Sequence, residues 1–209
     1  MSSEPVRIVE LPVVDAVLAL PLFHMPRSPL LLLYFTLIAL WSQTVFAEHP
    51  AVVAIRSLTD PVRISTLKDP RACNDRLLKC LYWLSSAQTG GQAPAAVLEG
   101  SLAPQARREM VKEALLRNLV IASRLGLLTP DNLEFLRRGK SPVIKTGPYT
   151  GEIAEVDHIL PVAKFPHFAR SFWNLELMPK TLNRKKSDTV GQRQLDLLKR
   201  VNALDASSD

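Results

Sequence analysis

The hydrophobic rhythm of this chain changes at Gly139, and that change limits the fold more than any other feature. Before it, apolar residues recur with the period of an α-helix. From about Asp69 to Ala87, Leu77, Leu78, Leu81 and Leu84 fall three and four residues apart, on one helix face. Gly90-Gly91-Gln92-Ala93-Pro94 breaks that pattern and reads as a loop. Pro104 to Leu125 is the clearest helix: Val111, Ala114, Leu115, Leu119, Ala122 and Leu125 form an apolar stripe, with Glu109, Glu113, Arg117 and Arg124 on the other side. Asn118 falls inside the stripe and needs a hydrogen-bond partner if it is buried. Gly126 suits a left-handed helix cap. Thr129-Pro130-Asp131 reads as an N-cap, a proline at the first helical position and an acid in the first turn of a short helix. Arg137-Arg138-Gly139 closes that helix with cations and a glycine.

After Gly139 the chain is punctuated by Pro142, Gly147-Pro148 and Gly151. Ile153 to Ile159 then reads as a strand, followed by a loop holding Pro161, Pro166 and His167, and Asn174 to Met178 as a second strand. Pro179 is pre-set to open a helix running through Lys186. Ser187 or Asp188 is placed to cap a final amphipathic helix carrying Leu195, Leu197, Leu198 and Val201. The expected fold class is mainly α, with a small strand–loop–strand–helix module near the C-terminus. Residues 48–139 form a helical region, either a scaffold or a lid, and residues 140–209 form the module with its C-terminal helix.

With 209 residues, 47% of them hydrophobic and 22% charged, wholesale disorder is excluded. The net charge of +6 favours a polyanionic partner, although a solvated basic surface accounts for it equally well. Residues 30–41 are a continuous apolar run without charge, preceded by Arg27 and followed by small residues at Val45 and Ala47. That is the layout of a secretory signal peptide over residues 25–47, cleaved after Ala47. Residues 1–24 then read as an extension without a role in export, with translation beginning at Met25. The alternative is a membrane anchor. The apolar run is short for a bilayer span of ~20 residues, and extending it to Ala47 nearly suffices. Export implies a periplasmic or secreted protein with no stable membrane association after cleavage.

Export also permits a disulfide between Cys73 and Cys80. Within one helix their Cα atoms would lie about 10 Å apart, beyond the roughly 4.4–6.8 Å that a disulfide spans. They can pair only if the helix begins after Cys73, with Asn74 or Asp75 as its cap.

The chemistry-bearing residues lie in the C-terminal module. Asp157-His158 closes the first strand, Asn174 opens the second, and Asn183 is followed by Arg184, Lys185 and Lys186 on the next helix. Hydrolysis of a phosphodiester needs a nucleophile at neutral pH and charge neutralisation on the phosphoryl oxygens. A neutral imidazole accepts a proton from water. An Asp carboxylate and an Asn carbonyl are the hard oxygens that Mg²⁺ or Mn²⁺ prefers. Strand alternation sets one condition: adjacent Asp157 and His158 point to opposite faces, so both serve one site only at the strand's end.

Asp157-His158-Ile159-Leu160-Pro161, Asn174, and Asn183 followed by Lys186 resemble the motif of the HNH endonucleases, the ββα-metal (His-Me finger) nucleases. The variant resembled has an Asp-His pair and a closing Asn. Asn183-Arg184-Lys185-Lys186-Ser187-Asp188 is similar to the corresponding segment in the HNH domains of RNA-guided CRISPR nucleases. The resemblance covers roughly residues 145–192, less than a quarter of the chain. It implies His158 as general base, Asp157 and Asn183 as metal ligands, and Asn174 as a brace for the inter-strand loop. Lys186, one helical turn after Asn183, is then placed to touch a substrate phosphate, with Arg184 and Lys185 as nonspecific nucleic-acid contacts. Glu155, on the Asp157 side of the strand, takes a structural role or orders a metal-bound water. His167 is a loop histidine.

A closing Asn rather than His, and the lack of Cys pairs around the motif, imply Mg²⁺ or Mn²⁺ and no structural zinc. The resulting expectation is an exported, metal-dependent endonuclease acting on DNA, with RNA as the alternative substrate. Sequence selectivity is slight, since phosphate contacts give affinity without readout. The rival is a noncatalytic nucleic-acid-binding or envelope protein that keeps the ββα fold. Oligomeric state is not legible in the sequence.

Overall fold

The computed structural model describes residues 48–69 and 71–206. The extension over 1–24 and the signal peptide or anchor over 25–47 lie outside the described residues. Among the described residues no helix is long and apolar enough to cross a membrane.

The chain is mainly helical, with one two-stranded antiparallel sheet. Its first six helices are α1 (Pro50–Thr59), α2 (Pro61–Ser65), α3 (Ala72–Thr89), α4 (Pro94–Ser101), α5 (Arg108–Arg124) and α6 (Pro130–Arg137). Then come β1 (Ala154–His158), β2 (Leu175–Pro179), α7 (Lys180–Lys186) and α8 (Gln192–Ala206). Two single 3-10 turns, Pro166–Phe168 and Phe172–Asn174, carry the chain between the strands.

Helix α3 is the hub, packed against α1, α4, α5 and α6, and α5 in turn carries β2 and the turn before it. The leucine spacing explains this arrangement. Leu77, Leu81 and Leu84 of α3 are fully buried, as are Ala114, Leu115 and Ala122 of α5. The same cluster takes in Trp173, Leu175 and Leu177, so the strand unit shares one core with the helices. Gly126 and Gly139 end α5 and α6 with φ of +64° and +72°. A side chain at Gly139 would also meet the Asp75 backbone of α3 at 3.0 Å, so glycine there permits a close helix approach as well as the turn.

Three helices escape the sequence reading. Each of α1, α2 and α4 begins at a proline, Pro50, Pro61 and Pro94, whose missing N–H costs nothing in a first turn. Pro94, read as part of a breaker, is instead a helix start. Helix α5 begins at Arg108 rather than Pro104, because Arg107 is drawn off to stack on Phe168 and Trp173, 5.7 Å from each ring centre. Thr129 stands at the N-cap of α6, but its buried hydroxyl makes no capping bond.

The last helix also departs from expectation: neither Ser187 nor Asp188 caps it. Ser187 has φ of 50° in the turn that ends α7, and Asp188 pairs with Lys164 at 3.3 Å. Helix α8 starts at Gln192, and Gln194 Oε1 accepts the Gly191 N–H at 3.1 Å. The cysteine question resolves against a bridge. Helix α3 includes both residues, and Cys73 and Cys80 are free and buried. Burial raises both thiols above their ordinary pKa, which leaves them poor nucleophiles.

Candidate metal and phosphodiester site

The strand register puts Glu155 opposite Met178 and Asp157 opposite Glu176, so these four side chains share one face of the sheet. Ala154, Val156 and His158 share the other face with Leu175, Leu177 and Pro179. That second face is the core side, where Ala154, Leu175 and Leu177 are buried. Helix α7 follows β2 directly and lies over the acidic face.

On that face the contacts interlock. Asn183 donates from Nδ2 to Glu155 Oε2 at 2.9 Å. Lys186, one turn later, donates from Nζ to Asp157 Oδ2 at 2.6 Å and to the His158 carbonyl at 2.8 Å. The side chains of Lys186 and Asp157 are each 17% exposed, so this pair is shielded. Beside it, the buried Glu176 takes Arg193 through two hydrogen bonds at 2.8 and 2.5 Å and Arg117 at 3.1 Å. Burial draws Arg117 below its ordinary value, against the opposing pull of Glu176. The sequence reading placed Arg117 on a solvent face. It is instead half-buried, holding Glu176 between α5 and α8.

His158 serves a different neighbourhood. Its Nε2 lies 2.9 Å from the carbonyl oxygen of Ala169, in the loop between the strands. A carbonyl can only accept, so Nε2 carries the proton and Nδ1 of the neutral ring is the acceptor. The alternation expected of adjacent strand residues holds: Asp157 faces α7, and His158 faces the loop.

The loop is pinned by Asn174, which is fully buried. Its Oδ1 accepts the Leu160 N–H at 2.7 Å, and its Nδ2 donates to the carbonyls of Leu160 at 3.1 Å and Phe168 at 3.3 Å. One side chain thus ties the segment after His158 to the segment that presents Ala169. Two more buried asparagines hold backbone in the same way. Asn132 pairs with the N–H and C=O of Val143 at 3.0 and 2.8 Å. Asn118 accepts from Leu177 N at 2.7 Å and donates to the Leu175 carbonyl at 2.9 Å. The polar residue inside the α5 stripe finds its partners on β2. On the far side of the sheet, Asn74 of α3 donates to the Val156 carbonyl at 3.3 Å.

The structure thus brings together Asp157 with Lys186, Asn183 with Glu155, and His158 with the loop held by Asn174. It turns Lys186 inward onto Asp157, while Arg184 and Lys185 remain exposed. His167 stacks on Phe168 with ring centres 3.9 Å apart, a loop contact. Glu155 is the residue the sequence reading undervalued, and its place two positions before Asp157 on β1 was the available signal.

The oxygens of Asp157, Glu155 and Asn183 are hard donors of the kind that suit Mg²⁺ or Mn²⁺. The Lys186 ammonium, seated between a carboxylate and a carbonyl oxygen, marks this as a place that holds positive charge. Among the described residues no cluster of three or more His, Cys, Asp or Glu side chains forms a metal cage. Any cation here would rest on few protein ligands and compete with Lys186 for Asp157. Lys186→Met is accordingly expected to tighten Mn²⁺ binding about tenfold, the effect of removing ~1.4 kcal/mol of charge competition at a shielded site. Calorimetric titration measures this, and unchanged affinity rules out competition.

No family model matches this sequence, and searches of the curated proteins and of the solved structures find no match either.

Proposed function

We propose that this protein is an exported, metal-dependent endonuclease of HNH type, hydrolysing phosphodiester bonds of DNA with little sequence selectivity. The observation that carries the reading is the 2.9 Å contact between His158 Nε2 and the Ala169 carbonyl. It orients the ring and leaves Nδ1 to accept a proton from water, which is what a general base requires. His158 and Asp157 are neighbours at the end of β1, with the ring toward the pinned loop and the carboxylate toward α7, so in this reading the substrate reaches both across the end of the strand.

In this reading Asp157 and Asn183 hold Mg²⁺ or Mn²⁺. When bound, the cation neutralises developing charge on the phosphoryl oxygens and leaving group. Glu155 orients Asn183, so that the amide N–H is spent and its carbonyl oxygen is available as a donor. Asn174 keeps the loop, and with it the Ala169 carbonyl, at a fixed distance from His158. Lys186 is the resident countercharge of Asp157. Arg184 and Lys185, exposed on the same helix, meet phosphates without reading bases. The module resembles the ββα-metal finger in element order and in these four positions.

One observation favours a second reading, a noncatalytic nucleic-acid-binding or envelope protein that retains the fold. Asp157 with Lys186 and Asn183 with Glu155 satisfy one another without any ligand. The two readings part in a plasmid-nicking assay on the mature protein, whose N-terminus is Glu48 if export holds. Supercoiled DNA is expected to be nicked with added Mg²⁺ or Mn²⁺ and left intact in EDTA. Retention of DNA without cutting under every cation tested selects the noncatalytic reading.

A further inference from the structure

The helical region has no assigned part in the chemistry, yet it walls a cleft beside the site. A cavity of 760 Å³ is lined by Arg71, Asn74 and Asp75 at the start of α3, by Ser141, and by Glu155, Asn183 and Arg184 of the strand unit. Two arginines from elements far apart in sequence therefore face one space. Most arginines among the described residues are held by carboxylates or carbonyls, as Arg108 is by Glu99, Arg137 by Glu134 and Arg200 by Glu113. Arg71 and Arg184 are exposed, and their guanidinium groups have no hydrogen-bond or ion-pair partner among the described residues.

The acids of the cleft are engaged elsewhere. Glu155 is turned to the Asn183 amide and keeps its negative charge on the strand side. Asp75 has Lys79 as its opposing charge, and burial moves its carboxyl above the usual range. The two guanidinium groups are the unpaired positive charges among the residues described as lining the cleft. A guanidinium is the side chain best shaped for a phosphate, and two of them lining one cleft suit a polynucleotide backbone passing through it.

We infer that this cleft is the track for the nucleic-acid backbone, with Arg71 of α3 and Arg184 of α7 each binding a phosphate on the approach to Asn183. The inference rests on the nuclease reading and assigns the helical region a direct share in substrate binding. Arg71 stands at the N-cap of α3, the helix against which the others pack. The fork formed with Arg184 sets where along the strand the scissile bond lies.

The test is the salt dependence of binding to a fluorescein-labelled DNA duplex in EDTA, where no cutting occurs. Arg71→Gln and Arg184→Gln are each expected to weaken binding about eight-fold at 0.1 M salt and to lower the slope of log K against log salt by about 0.9. Together they should lower it by about twice that. Arg124→Gln is the control. It removes an arginine without a side-chain partner among the described residues, in the last turn of α5 and outside the cleft, and is expected to change affinity less than about twofold. Thermal melting of each variant verifies that it folds. A parent protein that binds no DNA overturns the nuclease reading itself. Normal parental binding with Arg71→Gln behaving like Arg124→Gln overturns only the phosphate track.

Discussion

Replacing His158 with alanine is expected to slow single-turnover phosphodiester cleavage by about 10²- to 10⁴-fold, the span that a positioned general base contributes. The expectation is sharper than a loss of activity, because the geometry names the atom. Nε2 is occupied by the Ala169 carbonyl at 2.9 Å, so Nδ1 is the only ring nitrogen that can take a proton from water. Alanine removes both functions and leaves the oxygens of Asp157 and Asn183 in place, so Mn²⁺ binding measured by calorimetry is expected to stay within about twofold of the parent. Added imidazole is expected to restore part of the lost rate, because a diffusible base can enter the space vacated by the ring. A purely structural histidine would show no such rescue. Undiminished cutting by the variant would sink the assignment of His158 as base.

Asn118→Ala is expected to produce the largest loss of stability of any single change near the site, about 3 kcal/mol, or roughly 10 °C in Tm. Asn118 is fully buried, and its amide pairs with the N–H of Leu177 at 2.7 Å and the carbonyl of Leu175 at 2.9 Å. The Leu175 carbonyl keeps a weaker contact to Arg117 Nη2 at 3.4 Å, so the uncompensated group is chiefly the Leu177 N–H. A buried donor without an acceptor costs its full desolvation energy, about 1–3 kcal/mol. Loss of packing at the same position adds to it. Asn118→Asp separates the two causes. It retains an acceptor for Leu177 and most of the volume but sets a carboxylate oxygen against the Leu175 and Ala114 carbonyls, both of which now receive the amide N–H at 2.9 Å. Chemical denaturation of the two variants measures the effects. A change below about 1 kcal/mol for Asn118→Ala contradicts the structural role given to this residue.

Local features of the chain explain which parts of this fold could be read ahead of the structure. Helices α3, α5 and α6 show apolar periodicity and glycine stops; β1 alternates apolar and polar residues after Gly151, and β2 is a short, largely apolar run between Asn174 and Pro179. Helices α1, α2 and α4 are brief and start at prolines that also occur in loops; α1 and α4 are settled by packing on α3, and α2, without a buried residue, by the Asp60 cap and its contact with α1. The pairing partners in the site were hidden for another reason. That Asn118 required partners followed from its place in an apolar stripe, but which backbone it meets depends on how α5 crosses β2. Likewise, Lys186 lies on the Asn183 face of its helix by spacing alone. Its turn toward Asp157 depends on α7 folding back over the acidic face of the sheet, which local sequence does not encode.

The asparagines on either side of the sheet have a consequence beyond holding it in place. Two strands alone would offer a free ladder of N–H and C=O groups on each outer edge, a template onto which another chain can add. Here Asn118 occupies the outer edge of β2, and Asn74 covers the outer edge of β1 at the Val156 carbonyl. Both come from the helical region. Cutting the strand unit away from α3 and α5 would bare both edges together and leave a fragment prone to self-templated association. The helices keep so small a sheet from recruiting a neighbour.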